Sequence, residues 1–446
     1  MKRFWLLSLV LTIALTVFLT ACGSGDNNAE DTSSNTETES ATESTEAAEP
    51  AEPVTLKLLY WDPGHQEVME EINAKFTEEN PNITVELEQV PGDQYDSVLR
   101  TRLLADDGPD VFMYFGGGAY ALGKDGLLAD LSNESYAENV LPGFRGGVSY
   151  DGKLYAVPLN ATTTATFYNK AAFEKAGITK EPENWAEFLE VCEKLKQAGI
   201  VPIARGAKDA WTSLHEPGPM FAAFVLAKNE NFQMDRYEDK FKFSTNPDVK
   251  NYFNQYVNLI NKGYYDKGVL GVGHTQAVQE VADGRAGIMM GIMNFYGELV
   301  AANPNAEFGY FALRNEEGQY AVSGAADKAI GVWSKTKHDA EARKLVAFYA
   351  KPDINALFLT KTQMLPGLKG ITPDLAEPLK ELIADNEKVD TVFTWFDGQW
   401  GGPAVDAHRT GVQNLHAGNP DVDALLAAID KAYDDNKSII TPPTSK

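Results

Sequence analysis

The chain's hydrophobic positions follow a strand-then-helix pattern from Val54 onward. Val54–Tyr60 reads VTLKLLY, a mostly apolar run typical of a parallel strand that is covered on both faces. In the next segment Val68, Ile72 and Phe76 recur every four residues among glutamates and other polar residues. This spacing predicts an amphipathic helix with one buried face.

The same pattern continues through two further strands. Alternating apolar residues predict a strand over 83–87, a helix is expected from about 94 to 105, and an apolar run predicts a third strand over 110–114. Strand, helix, strand, helix, strand is the order of a doubly wound parallel sheet. Ligands bind at the carboxyl ends of such strands, which here are Trp61-Asp62 and the glycine-rich loop 114–118.

The stretch 150–170, YDGKLYAVPLNATTTATFYNK, is predicted to join two lobes. Asp151-Gly152 favours a type I′ hairpin because both residues tolerate positive φ. Pro158 is expected to end the second strand, since proline cannot donate to a sheet. Asn160 and the threonines 162–164 then form a polar extended run between hydrophobic neighbours. A passage between lobes explains this run; the alternative is an ordinary exposed loop.

A second set of strands and helices is predicted after this passage. Asn184 and Asn246 are favourable N-caps for two amphipathic helices. Further elements are a strand over 200–204, a helix over 274–283 and an apolar strand over 288–290. The pattern therefore predicts two α/β lobes.

Composition narrows the possible functions. A chain of 446 residues favours two domains, and its formal charge of −25 argues against a nucleic-acid partner, which would require clustered basic residues. The two cysteines, Cys22 and Cys192, support no disulfide framework, and the six histidines lack the spacing of a zinc site. No metal or cofactor is predicted.

The N-terminus predicts export. Lys2 and Arg3 precede an apolar run from Phe4 to Leu19, which is short for a membrane span and typical of a signal peptide. The run ends in LTACG (19–23), which resembles the bacterial lipobox. That resemblance implies a signal peptide over 1–21 and lipidation (diacylglycerol, palmitate) of Cys22. The lipid would anchor the protein at the extracellular face of the cell membrane. The alternative is a plain secretory signal.

The segment from Gly23 to Pro53 has a linker composition. It is rich in Ser, Thr, Glu, Asp and Ala, and it lacks basic and aromatic residues. Such a segment cannot offset the entropy of ordering, so 22–53 is expected to be a disordered acidic tether. It would reach roughly 30 Å as a coil and about 100 Å when stretched. A mucin-like or partner-binding role is the alternative.

The order of several short motifs resembles the bacterial extracellular solute-binding proteins of family 1, which are maltose-binding-protein-like receptors of carbohydrate ABC importers. The motifs are NPNITV (80–85), GPDV (108–111), DGKLYAVP (151–158), YNK (168–170), DGRAGIM (283–289), SK (334–335) and MLPG (364–367). The resemblance covers nearly all of the chain after the tether.

The resemblance implies an α/β, two-lobed periplasmic-binding-protein type II fold. Two βαβ lobes would be joined by crossing hinge strands and would close on a ligand between them. The expected divisions are an N-terminal lobe of 54–159 plus 320–370, a C-terminal lobe of 165–312 plus 371–442, and hinge crossings at 160–164 and 313–319.

The resemblance also implies which residues line the cleft. These are Trp61, Asp62, Tyr114, Gly116, Asn160, Trp211, Asn294, Phe295, Gly324, Asp327, Trp395, Asp397 and Trp400. Many members carry a tryptophan just after the glycine that corresponds to Gly291, where this chain has Met293, Asn294 and Phe295.

Residue chemistry adds His215 to this set and supports a sugar independently. Apolar sugar faces pack on aromatic rings, and the hydroxyl rim needs polar partners. Trp61-Asp62, Trp211 with His215, and Trp395 with Asp397 and Trp400 each place an aromatic ring beside a polar group. Each tryptophan could instead belong to a core.

The expected function is therefore a monomeric, non-catalytic receptor that binds a small carbohydrate and delivers it to an ABC permease. A receptor that presents sugar to a sensor kinase is an alternative. A glycosidase is the other alternative, because such an enzyme also has tryptophans and carboxylates in its site. It would need two carboxylates about 5–9.5 Å apart. No HExxH, GxSxG, CxxC or phosphate-binding loop motif is present.

Overall fold

A computed structural model describes residues 52–389, 392–395, 397–418 and 420–440. The predicted signal peptide, Cys22 and nearly all of the tether lie outside the described residues. Within the described ranges, no helix is both long enough and apolar enough to cross a membrane.

Strands and helices alternate from β1 to α3, and later parts of the described chain contain runs of successive strands or helices. The strands are β1 Val54–Tyr60, β2 Ile83–Gln89, β3 Val111–Phe115, β4 Ser149–Tyr150, β5 Lys153–Leu154, β6 Val157–Pro158, β7 Ala161–Asn169, β8 Val201–Ile203, β9 Ala286–Ile292, β10 Phe308–Tyr310, β11 Val322–Ala326, β12 Lys328–Val332 and β13 Val392–Thr394. The helices are α1 Gln66–Glu79, α2 Gly92–Leu104, α3 Gly118–Lys124, α4 Pro142–Arg145, α5 Lys170–Lys175, α6 Trp185–Gln197, α7 Thr212–His215, α8 Gly218–Phe221, α9 Phe232–Tyr237, α10 Pro247–Asn261, α11 His274–Ala282, α12 Phe295–Ala302, α13 Asp339–Tyr349, α14 Pro352–Thr362, α15 Glu377–Asn386, α16 Asp397–Trp400, α17 Gly402–Leu415 and α18 Val422–Asp435.

The first lobe is built on a sheet of order β2-β1-β3-β12-β6. β1 runs parallel to both β2 and β3, as the sequence predicts for a doubly wound arrangement. Val68, Ile72 and Phe76 of α1 are buried in this lobe's core, so the predicted helical face is confirmed. The predicted α/β fold class is also confirmed.

The second lobe is built on a sheet of order β13-β11-β7-β9-β8, with β10 also paired to β7. Its helices begin at the predicted caps. The Asn184 side chain accepts from Glu187 N, and the Asn246 side chain accepts from Asp248 N. Cys192 of α6 is fully buried in this lobe's core.

The first crossing between the sheets is short. Asp151 and Gly152 adopt positive φ of 49° and 74° between β4 and β5, as predicted for the hairpin. β6 ends at Pro158 in the first sheet, and β7 begins at Ala161 in the second. The threonines 162–164 are buried within β7, so they are neither an exposed loop nor the crossing itself.

The return crossing lies later in the chain than predicted. β11 pairs antiparallel with β7 in the second sheet, and β12 pairs antiparallel with β3 in the first. Asp327 is the single residue between them. The structure therefore assigns 320–326 to the second lobe and places the crossing at 327, not at 313–319. β11 reads VSGAA, and such small residues carry little strand signal.

Candidate functional site

Asp327, in the return crossing, has a carboxylate that binds residues of both lobes and of the first crossing. Its Oδ2 accepts hydrogen bonds from Asn160 Nδ2 at 3.0 Å, Asn294 Nδ2 at 2.9 Å and Lys328 Nζ at 3.0 Å. Asn160 precedes β7, Asn294 follows β9 and Lys328 opens β12. The Asp327 side chain thereby connects the start of β12 in the first sheet to the segments next to β7 and β9 of the second sheet.

Lys328 extends this cluster to the first strand of the chain. Its Nζ lies 3.4 Å from Asp62 Oδ2, at the carboxyl end of β1, and its side chain is only 5% exposed. Burial opposes ionisation of Asp327, but Lys328 and the two amides outweigh it and lower the pKa of Asp327 to about 2. Burial likewise opposes the charge on Lys328, and Asp327 and Asp62 outweigh it and raise its pKa.

His65 is the remaining titratable group of the cluster. It is buried, and its Nδ1 lies 3.6 Å from Asp62 Oδ2. Burial, together with the charge of Lys328, lowers the pKa of His65 to about 4, so the ring is neutral at pH 7. Lys328 therefore faces two carboxylates, Asp62 and Asp327, and the cluster carries one net negative charge.

An aromatic wall stands on the second lobe and consists of Trp211, His215, His274, Phe295 and Trp395. Trp211 is 38% exposed, and its ring centroid lies 4.6 Å from that of His274 and 5.4 Å from that of His215. His215 in turn stacks on Trp395 at 5.3 Å. The structure brings together the four predicted members of this wall and adds His274, which sequence reasoning missed.

The wall and the polar cluster adjoin each other. Trp395 N donates to Gly324 O at 3.1 Å, and Gly324 belongs to β11, which leads directly to Asp327. Asn294, whose amide donates to Asp327 Oδ2, directly precedes Phe295 of the wall. A ligand that rests on the wall would therefore lie close to the Asp327 carboxylate.

On the first lobe, both predicted aromatic residues are buried, and Trp61 is only 8% exposed. Tyr114 is 2% exposed and belongs to the core. The next residue, Phe115, is 45% exposed, and its ring lies 4.3 Å from that of Trp61. Phe115 was missed because the predicted strand ended one residue earlier, and side chains alternate between the faces of a strand.

At two positions only glycine fits, because another part of the chain lies against its Cα. A Cβ on Gly116 would lie 1.6 Å from Ala326 O, and Gly116 N donates to Asp327 O at 2.8 Å. Gly116 thus packs the glycine loop against the return crossing. Gly291 has φ of 153°, and a Cβ there would lie 2.1 Å from the ring of Phe295. The bare backbone at 291 therefore makes room for Phe295 in the wall.

Trp400 lies elsewhere. It is 1% exposed, its Nε1 donates to Gln233 Oε1 at 3.0 Å, and its ring packs against Phe221 and Phe243 in the core of the second lobe. This placement does not support the sequence-based assignment of Trp400 to the cleft. The side chain of Asp397, another predicted contact, lies outside the described residues.

The site is suited to an uncharged ligand that has apolar faces and a hydroxyl rim. Aromatic rings offer packing surfaces, and the amides and carboxylates offer hydrogen-bond partners. In the described part of the chain, no group of His, Cys, Asp and Glu is arranged to hold a metal ion.

Comparison with known proteins gives a consistent picture. The family model described as bacterial extracellular solute-binding protein matches residues 62–356. The multiple sugar-binding protein of Streptococcus mutans is 24% identical over 336 residues, which cover 74% of this chain and 79% of that protein.

Solved structures agree with the fold. The solute-binding protein RafE in complex with raffinose is 25% identical, with a TM-score of 0.75 over 86% of this chain and 99% of that one. The apo form of RafE from Streptococcus pneumoniae is also 25% identical, with a TM-score of 0.73 over 87% and 99%.

Proposed function

We propose, from the premise that this chain belongs to the family of bacterial extracellular solute-binding proteins, that it binds an uncharged carbohydrate between its two lobes. Proteins of this family bind solutes and are not enzymes, in agreement with the expectation from sequence. Delivery of the bound sugar to an ABC permease is the second part of the proposal.

The observation that carries this proposal is the exposed ring of Trp211 beside the Asp327 cluster. A tryptophan that is 38% exposed leaves apolar surface that a sugar face would cover. Asp62 and Asp327, whose side chains are 30% and 13% exposed, offer carboxylate oxygens, and Lys328 lies against both of them. Asn160 is fully buried and holds the Asp327 carboxylate in place. A neutral polyhydroxylated ligand would gain these contacts without bringing a charge that needs a partner.

Binding without turnover is the expected result with neutral oligosaccharides. Raffinose is a reasonable first probe, since a structural relative is described in complex with it. A ligand at one hundred times its dissociation constant should stabilise the folded protein by about 2.7 kcal/mol, which a thermal-shift screen detects.

Two further measurements distinguish the alternatives. Closure of the lobes on the ligand should reduce the radius of gyration in solution scattering. Hydrolysis of a bound oligosaccharide would contradict the receptor function, and the absence of saturable binding across mono- and oligosaccharides would contradict the choice of ligand.

We further propose that the receptor is anchored to the extracellular face of the cell membrane through a lipid on Cys22. The proposal rests on the LTACG motif and the acidic linker that follows it. Replacing Cys22 with Ala should release the protein from the membrane fraction into the medium, because no acyl chain can be attached. Cys192→Ala is the matched control, and continued membrane pelleting of Cys22→Ala would contradict the anchor.

A further inference from the structure

A buried ion pair joins the two ends of the segment that carries Trp211. Arg205 Nη1 donates to Glu216 Oε2, and the two side chains are 0% and 4% exposed. Trp211 and His215 lie between these two residues, at the start and the end of α7. The ion pair therefore closes a short loop that carries two residues of the wall, Trp211 and His215.

Both partners make further hydrogen bonds. Glu216 accepts from Tyr265 OH at 2.6 Å and from Tyr256 OH at 2.9 Å. Arg205 Nη2 donates to Ser213 Oγ at 2.9 Å, which attaches α7 itself to the pair. The segment is thus held at its base by groups from α10 and from the turn after it.

The outer part of the segment is fixed against α11. Thr212 Oγ1 donates to Gly206 O at 3.0 Å, and His274 N donates to Asp209 Oδ2 at 2.6 Å. A Cβ on Gly206 would lie 2.6 Å from the backbone of His274, so the backbones of these two segments are in direct contact. This contact places the His274 ring against Trp211.

Stability alone does not account for such an ion pair. Removing two charges from water costs several kcal/mol, and well-packed hydrophobic residues often stabilise a protein as well or better. A charged, multiply hydrogen-bonded pair has strict geometric requirements, however, and it therefore holds its neighbours in one arrangement. One neighbour held in this way is Ser213 of α7, the helix that Trp211 precedes.

We infer that Arg205 and Glu216 are positioning residues, which hold Trp211 in the orientation that the ligand requires. This inference rests on the proposed function, since it concerns the same carbohydrate site. Neither residue contacts the ligand. Their effect on binding passes through the Trp211 ring.

A double-mutant cycle with raffinose, or with the best ligand of the thermal-shift screen, tests this. Glu216→Gln should weaken binding about tenfold in the native background and hardly at all in a Trp211→Ala background. The accompanying loss of stability should be the same in both backgrounds. An equal loss of affinity in the two backgrounds would overturn the inference.

The chain offers a matched control in a second buried ion pair of the same lobe. Arg236 is 1% exposed and lies 3.6 Å from Asp430, whose carboxylate accepts from Phe243 N and Ser244 N. Asp430→Asn should reduce stability while leaving affinity unchanged. If Asp430→Asn weakens binding as much as Glu216→Gln does, the role of the Arg205–Glu216 pair is general support of the lobe.

A ligand-independent measurement keeps the test decisive even if no carbohydrate binds. The NMR signal of the Trp211 indole, assigned by comparison with Trp211→Ala, should shift in Glu216→Gln and stay in place in Asp430→Asn. An unshifted signal in Glu216→Gln would overturn the positioning role, whereas a shifted signal without any sugar binding would count only against the proposed function. If Glu216→Gln does not fold, Tyr265→Phe removes one hydrogen bond to Glu216 and should show the same pattern more weakly.

Discussion

Replacing Trp211 with alanine is expected to weaken carbohydrate binding about tenfold to thirtyfold. The exposed part of the indole is surface that a sugar face would cover, and such burial contributes about 1.5–2 kcal/mol, at about 1.4 kcal/mol for each tenfold. Because the ring is partly exposed in the free protein, its loss should cost little stability. Isothermal titration calorimetry measures the first effect and urea unfolding the second.

Two other variants make this result specific. Leu270→Ala removes a side chain of the same lobe that is 42% exposed, and it should leave affinity unchanged. Trp400→Ala should instead destabilise the protein by about 3–5 kcal/mol, because Trp400 fills the core of the second lobe. If Trp211→Ala binds as tightly as the native protein, Trp211 does not belong to the site.

Replacing Asp327 with alanine is expected to cost about 3–5 kcal/mol of stability, since it removes one member of a buried ion pair. Lys328 would keep only Asp62 as a partner, at 3.4 Å, and the amides of Asn160 and Asn294 would lose their acceptor. Urea unfolding measures the loss. Asp327→Asn should lose less, because it retains a carbonyl oxygen.

An exposed position supplies the comparison for this variant. Glu190→Ala, on the exposed side of α6, should change the free energy of unfolding by no more than about 0.5 kcal/mol. A similarly small change in Asp327→Ala would show that the cluster contributes little to the fold.

The same carboxylate should make stability depend on pH in the acid range. The pKa of Asp327 is lowered from 3.8 to about 2 in the folded protein, so the folded state binds this proton less readily than the unfolded state. Its contribution is therefore fully present above about pH 4 and is lost as the pH falls towards 2. The decline of stability over this range should be shallower in Asp327→Asn, and an unchanged slope would contradict the assignment.

Much of the fold could be predicted from local patterns. The spacing of Val68, Ile72 and Phe76, and the caps Asn184 and Asn246, specify helices through contacts within a few residues, and the structure has those helices. β11 could not be predicted in the same way. Its residues, VSGAA, form a strand only because β7 and β13 lie on either side of it.

In the candidate site, too, the sequence indicated individual residues but not how they are arranged. Family resemblance named Asn160, Asn294 and Asp327 separately, and their meeting at one carboxylate oxygen depends on both crossings. The two predicted tryptophans Trp395 and Trp400 share one short stretch of sequence. One stacks on His215 in the wall and the other fills the core, a difference that the local sequence does not contain.

By itself, the sequence determined the order of the first α/β elements and the hairpin at Asp151-Gly152, because each depends on residues that are close together in the chain. It also indicated the family, through the order of short motifs that are each local. Only the tertiary structure decided that the return crossing is at Asp327, that Phe115 rather than Tyr114 is exposed, and that Arg205 and Glu216 pair at the two ends of the segment that carries Trp211. These features depend on which strands become neighbours and which side chains the packing covers, and both are settled by contacts between distant parts of the chain.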